Sequence, residues 1–176
     1  QMLGNDMPFP ENGYKGDYVK DISKEMKEQE GDKYRSIPFE ECGDVFTGFA
    51  YKKMLADLSH DLMDFGIGFD RWQSEKELYD KGAVKDALEH LKKKELAYEK
   101  DGALWFRSTD FGDDKDRVVV KNDGEFTYFA SDIAYHKEKL DRGFDTIIDI
   151  WGADHHGYIP RIRAVLKAFG LPDEKF

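Results

Sequence analysis

The stretch "DIWGADHHGYIPR", Asp149 to Arg161, places an acid and two adjacent histidines directly after an apolar run that stops at a glycine. In open α/β sheets, ligands bind beyond the carboxyl ends of strands, where loops lead into helix N-termini. Gly152, Asp154, His155 and His156 fall at such a place. A glycine there lets the backbone approach a ligand closely. An aspartate can accept hydrogen bonds from ribose hydroxyls, and a histidine can donate to phosphate or stack on a base. Two other readings stay open on position alone. One is a polar loop that closes a strand. The other is a metal site, because Asp154, His155 and His156 offer ligands that suit manganese or zinc, as in a metal-dependent phosphoesterase. Such a two-metal hydrolase needs further aspartates from separate strands.

A second constellation is "EFTYFASDIAYH", Glu125 to His136. Tyr128 and Asp132 are four apart and share a face if the segment is helical. An aspartate can take a guanidinium bidentately, and a tyrosine can pack against its plane. Taken alone, Asp132 reads first as a plain acid or cap in a first helical turn, where acids are common. His136 reads as a surface or packing histidine, as do His60 and His90. The triple lysine Lys92 to Lys94 reads as a helix C-terminus answering the dipole. "DFGDD" matches a kinase metal motif in three letters, but no glycine-rich or catalytic loop accompanies it.

These residues need elements to hold them. The chain has 176 residues, 40% hydrophobic and 14% aromatic, which suits one compact domain or one domain with an insertion. Its net charge of −10 argues against a free-standing nucleic-acid platform. A single cysteine, Cys42, excludes an internal disulfide framework and fits a reducing, cytoplasmic setting. No apolar run reaches membrane-spanning length, so no membrane partner is expected. The chain opens on Gln1 in mid-pattern, as an internal piece of a longer sequence would.

Residues up to about Gly13, with Pro8, Pro10 and Asn12, read as loop. An amphipathic helix is expected from Asp17, using Tyr18, Val19, Ile22 and Met26, followed by a solvated linker "EQEGDKYRSIP". A long helical stripe runs from Phe46 to Phe65. "FDRWQSE", Phe69 to Glu75, alternates as a short strand, and a helical region follows from about Glu75 to Lys94. Two DG turns, Asp101-Gly102 and Asp123-Gly124, each sit between apolar runs and predict two hairpins. A helix capped at Ser131, a strand "FDTIIDIWG" and a helix entered near Pro160 close the sequence. The order helix, strand, helix is half of a doubly wound α/β sheet.

Read together, "GALWFRSTDFGDDKDRVVVKNDGEFTYFASDIAYHKEKLDRGFD" (Gly102 to Asp145), "WGADHHGYIPRIRAVLKAFG" (Trp151 to Gly170) and "GYKGDYV" (Gly13 to Val19) resemble the bacterial arginyl-tRNA synthetases, which are class I enzymes. The resemblance covers nearly the whole chain in order. It implies a partial Rossmann-like catalytic domain, α/β in class, with a helical insertion and a small antiparallel β insertion. The implied division is 1–45 as helical insertion, 46–75 as core helix and strand, 76–125 as α+β insertion, and 126–176 as the second half of the nucleotide fold.

It also implies roles. Tyr128 and Asp132 match a Y-x-x-x-D pattern that binds substrate arginine, so the guanidinium reading now outweighs the cap. Gly152 and Asp154 match a G-x-D segment that faces the adenosine of ATP and the adenylate, with His155 and His156 beside it. The implied activity is arginine–tRNA ligation, with L-arginine, ATP and tRNA(Arg) as partners. Mg2+ would accompany ATP, and no tightly bound metal is expected. No HIGH-like or KMSKS-like element occurs, and these are expected upstream of Gln1 and beyond Phe176. A fragment inactive alone is therefore expected, and a synthetase-like binding module without catalysis is a further option.

Overall fold

The computed structural model describes residues 11, 13 and 16–176. The loop expected over the first dozen residues therefore lies almost entirely outside the described part. The chain divides into two compact units, Gln1–Arg71 and Trp72–Phe176.

The first unit is a helical pair, α1 (Asp17–Glu30) and α2 (Phe39–Asp64). The amphipathic spacing of Val19, Ile22 and Met26 yields α1, and Gly31, at φ +60°, ends it in a conformation that other residues resist. Met26 and Cys42 are the buried members, and Lys53 pairs with Glu25 between the helices. Tyr34, in the linker, sets its ring edge-on to Phe46 at 5.4 Å. Helix α2 starts seven residues earlier than its apolar stripe suggests, directly after Pro38.

The second unit carries the larger core. Its elements are α3 (Glu75–Asp80), α4 (Ala83–Lys93), β1 (Ala97–Lys100), β2 (Ala103–Phe106), β3 (Arg117–Val120), α5 (Tyr128–Asp141) and α6 (Ile159–Ala168). The strands form one antiparallel sheet in the order β1-β2-β3. The first expected hairpin is present. Tyr98 faces Trp105, and Asp101 and Gly102 both take positive φ, at 52° and 75°. That pair of signs is what a tight hairpin turn with the strands' own twist requires.

Leu91 from α4, Phe106 from β2, Val119 from β3, Ile133 from α5 and Ile162, Val165 and Leu166 from α6 close one continuous core. Each side chain of this size contributes about 1.5–3 kcal/mol when fully buried. The apolar face of α6 is the one its periodicity predicts, and Pro160 stands in its first turn.

Several expectations give way. The helical region 75–94 is two helices, because Gly82 turns left-handed at φ +75° between them. The second hairpin is reduced to a turn and a single bridge, Val120 to Phe126. Its return strand is cut short because Thr127 bonds back to Val118 and Val119 and α5 begins at Tyr128. The cap of α5 is consequently Thr127, and Ser131 lies buried inside the first turn. "FDRWQSE" is irregular up to Ser74, without a strand partner among the described residues. "FDTIIDIWG" has no strand partner among the described residues. Ile147 is buried, whereas Ile148 and Ile150 are 79% and 93% exposed. The three paired strands lie earlier in the chain, and no ladder reaches this segment.

Candidate functional site

Helix α5 presents two unlike faces. Phe129, Ala130, Ile133 and Ala134 enter the core. At the same helical period, Tyr128, Ser131, Asp132, Tyr135, His136 and Lys139 make a polar stripe. Two recesses open along that stripe. The first, about 340 Å³, is walled by Gln73, Glu75, Leu78, Tyr128, Ser131, Asp132 and Tyr135. The second, about 550 Å³, includes Asp132, Tyr135, His136, Asp149, Trp151 and His155 in its lining. Asp132 and Tyr135 belong to both, so the recesses meet at one wall.

Within the first recess, Tyr128 is largely exposed while Asp132 is half-buried. Burial pushes the Asp132 carboxyl above its ordinary range, and the nearby acids Glu75 and Asp149 add to that, against His136 and Arg161. Among the described residues no hydrogen bond engages its carboxylate; the His136 ring, through Nδ1, bonds instead to the Asp132 backbone carbonyl. Ser131 Oγ lies 2.7 Å from Glu75 Oε1 and 2.7 Å from the Tyr128 carbonyl, and its one proton serves one acceptor at a time. This bond ties α3 to α5 across 56 residues of sequence and aims a second acid at the recess. Among the described residues that line this recess there are two carboxylates, two tyrosine rings and no lysine or arginine.

The floor of the second recess is a buried ionic cluster. Asp149 and His136 side chains are each 5% exposed. His136 Nε2 lies 2.7 Å from Asp149 Oδ2, and its Nδ1 lies 2.7 Å from the Asp132 carbonyl. Both ring nitrogens thus face oxygen atoms, Nδ1 a carbonyl and Nε2 a carboxylate. Lys139 donates to the other oxygen, Asp149 Oδ1. Burial opposes the charge on Asp149, but the His136 and Lys139 bonds outweigh it and hold its carboxyl below the ordinary range.

The loop after this segment is a 3-10 turn, Ala153–Tyr158, leading into α6. Of the four residues singled out there, His155 lines the second recess, and Gly152, Asp154 and His156 are exposed outside its lining. His155 Nδ1 and Asp154 Oδ1 are 3.1 Å apart. A Cβ at Gly152 would stand 2.5 Å from Asp154 Oδ1, so this glycine makes room for the carboxylate. Its own φ is −65°, which any residue adopts. Among the described residues no three acidic, histidine or cysteine side chains converge for a metal ion. The phosphoesterase reading therefore finds no support.

Sequence reasoning did not reach Glu75, nor the bonds joining His136, Lys139 and Asp149. A signal existed for the second set. Asp149 is a charge inside an apolar run, and His136 and Lys139 share the helical face of Asp132. Two acids of the longer string "DFGDDKDR", Asp113 and Asp116, serve the sheet. Asp113 takes Arg117 Nε and Nη2 at 2.7 Å each, and Asp116 takes Tyr98 and Thr109 hydroxyls.

The description "tRNA synthetases class I (R), catalytic domain" matches residues 24–176. The chain belongs to this class I arginyl-tRNA synthetase family. Arginine–tRNA ligases of Syntrophotalea carbinolica, Citrifermentans bemidjiense and Oceanobacillus iheyensis are 52%, 51% and 51% identical over 94%, 97% and 100% of the chain. The chain spans 30%, 31% and 32% of those relatives. A crystal structure from Campylobacter jejuni, assigned as an arginyl-tRNA synthetase, superposes with a TM-score of 0.87 at 40% identity. That match covers 99% of this chain and 38% of the other. The synthetase family chain thus combines helices with a small three-stranded antiparallel sheet.

Proposed function

We propose that this chain supplies the arginine-binding and adenosine-facing walls of an arginine–tRNA ligase. The observation that carries the proposal is the partly desolvated Asp132 carboxylate, which has no hydrogen-bonded donor among the described residues and shares its recess with Tyr128 and Glu75. A carboxylate raised by burial is restored to its charged form by a fixed cation. The arginine guanidinium is such a cation, and it stays charged at every relevant pH. Tyr128 offers a ring or a hydroxyl to its plane. Glu75 supplies a second negative partner, an addition to the pair expected from sequence.

In this reading the second recess, with Trp151 and Tyr158 as aromatic walls, takes the adenosine side of ATP. His155 lines it directly, and Gly152, Asp154 and His156 border it from the loop. The arginine carboxylate attacks the α-phosphorus of ATP, pyrophosphate leaves, and the arginyl adenylate then passes arginine to the 3′ end of tRNA(Arg). The chain's own residues bind and orient the two substrates about the common wall of Asp132 and Tyr135, which is where positioning is worth most. Mg2+ enters with the ATP phosphates.

The same reading makes residues 126–176 the second half of a Rossmann-like nucleotide fold and residues 46–75, most of them in α2, part of its core. Residues 1–45 and 76–125 are insertions in it, and the working compartment is the cytoplasm. Calorimetric titration of arginine tests the central claim. Asp132→Asn removes a charge-assisted bond worth about 1.5–3 kcal/mol, a loss of affinity of roughly 10- to 100-fold. Unchanged affinity would remove the guanidinium assignment.

A further inference from the structure

The two recesses share a wall on α5, and behind them Ile147 joins the apolar core that α5 and α6 also enter, so the polar ties of the segment after it decide how its far end is held. The segment Ile147–Trp151 has no strand partner among the described residues. Its ties are the Ile147 amide to the Lys175 carbonyl at 2.9 Å, the Trp151 ring edge against Phe176 at 6.4 Å, and Asp149. Among these ties, only Asp149 reaches α5. It does so with both carboxylate oxygens, one turn along the helix from Asp132, through His136 and Lys139. The His136 ring is itself fixed by the Asp132 carbonyl. The Lys139 ammonium lies 4.6 Å from the centroid of Tyr135, the other residue of the common wall.

We propose that this buried clasp of His136, Lys139 and Asp149 sets the register between the two recesses, so that these three are positioning residues for adenylate formation. The inference rests on the reading of the recesses as arginine and adenosine walls. Neither recess is built from the clasp alone: the carboxylates of the first come from Glu75 and Asp132, and the aromatic side of the second from Trp151 and Tyr158. Loosening the clasp leaves each substrate its own contacts but lets the attacking carboxylate and the α-phosphorus drift apart. A displacement near 1 Å lowers rate on the order of 100-fold.

The test uses Asp149→Asn, Lys139→Met and Lys139→Arg in a ligase of the relatives' full length carrying this sequence. Asp132→Asn serves as the comparison, and folding is checked by circular dichroism. The expected result for Asp149→Asn is a fall in adenylate-forming turnover of about 10- to 100-fold. Arginine affinity stays within roughly threefold, and ATP affinity, whose recess the clasp floors, falls by less than the turnover, the pattern of an interaction that matters most in the transition state. Lys139→Met falls about tenfold and Lys139→Arg returns toward the original rate. Should Asp149→Asn not fold, the lysine pair decides, since Lys139 is partly exposed. Unchanged turnover in a folded variant overturns the inference, and so does a loss of both affinities in proportion to the rate. If Asp132→Asn leaves arginine affinity intact, the underlying substrate reading fails instead.

Discussion

Asp132 shows how a single side chain can be held away from its most comfortable state. Burial raises the Asp132 carboxyl above its ordinary range in the folded chain. The native state therefore binds this proton more tightly than the unfolded chain does. As pH rises from the unfolded value through the raised folded value, stability falls, and the full penalty remains at neutral pH. The Asp132→Asn variant that loses arginine affinity is accordingly expected to melt higher than the original at pH 7. That advantage fades below the ordinary carboxylate range, where both proteins are uncharged at this position. Thermal unfolding across pH 3 to 8 without arginine checks the sign, and a lower Tm at pH 7 refutes it. Gly152 has the opposite character, since its backbone is ordinary and its role is space. Alanine there drives a Cβ to 2.5 Å from Asp154 Oδ1, and the exposed carboxylate swings away. Stability should change by no more than about 0.5 kcal/mol, as for other surface changes, while affinity for adenosine nucleotides drops. Equal affinity in Gly152→Ala would separate Asp154 from nucleotide binding.

Between the strands, the string "DFGDDKDR" acts as a structural knot. The Asp113 side chain is 1% exposed and that of Arg117 13%. Burial opposes the charge on Asp113, but the Arg117 fork and the Asp114 amide hold its carboxyl well below the usual range. Its contribution to stability is thus complete above the ordinary carboxylate value and is lost as pH falls through the lowered one. Arg117→Met strands a buried carboxylate and should destabilise by about 3–5 kcal/mol. Lys121→Met, which breaks an exposed pair with Glu125, should change stability by about 0–1 kcal/mol. Urea unfolding of the two variants measures the contrast, and similar losses would show that burial does not govern these pairs. The sequence made this region's first hairpin legible because Asp101-Gly102 dictates its turn locally. It made α1, α5 and α6 legible because their apolar period is local too. The second hairpin and the Phe144–Trp151 strand were not legible. Apolar runs do not say whether a partner ladder will reach them, and Thr127 commits its backbone to β3 before a return strand can grow. The stripe of α5 was half legible. Tyr128 and Asp132 stood out as a pair, whereas Glu75 meets them only through a bond to Ser131 that spans 56 positions.

For the molecule as a whole, the question is how much of the reaction its described walls can carry. Adenylate formation concentrates negative charge around the phosphates, and fixed donors aimed at that charge usually provide the largest part of the acceleration. Two basic groups lining the second recess are already paired. Lys139 and His136 hold Asp149, and the Arg161 guanidinium stacks 4.3 Å from the Tyr158 ring centroid. The net charge of −10 also sets a repulsive field against a polyanion such as tRNA or the phosphates of ATP. No HIGH-like or KMSKS-like sequence occurs in the 176 residues to counter it. The chain spans about 30% of the length of the curated relatives it matches. The purified chain should therefore show no arginine-dependent exchange of pyrophosphate into ATP above background. A ligase of full length assayed alongside should exchange readily. Exchange by the chain alone would mean that the walls around Asp132 and Asp149 stabilise the transferring phosphate themselves, and the clasp would then have to release a cation to do so.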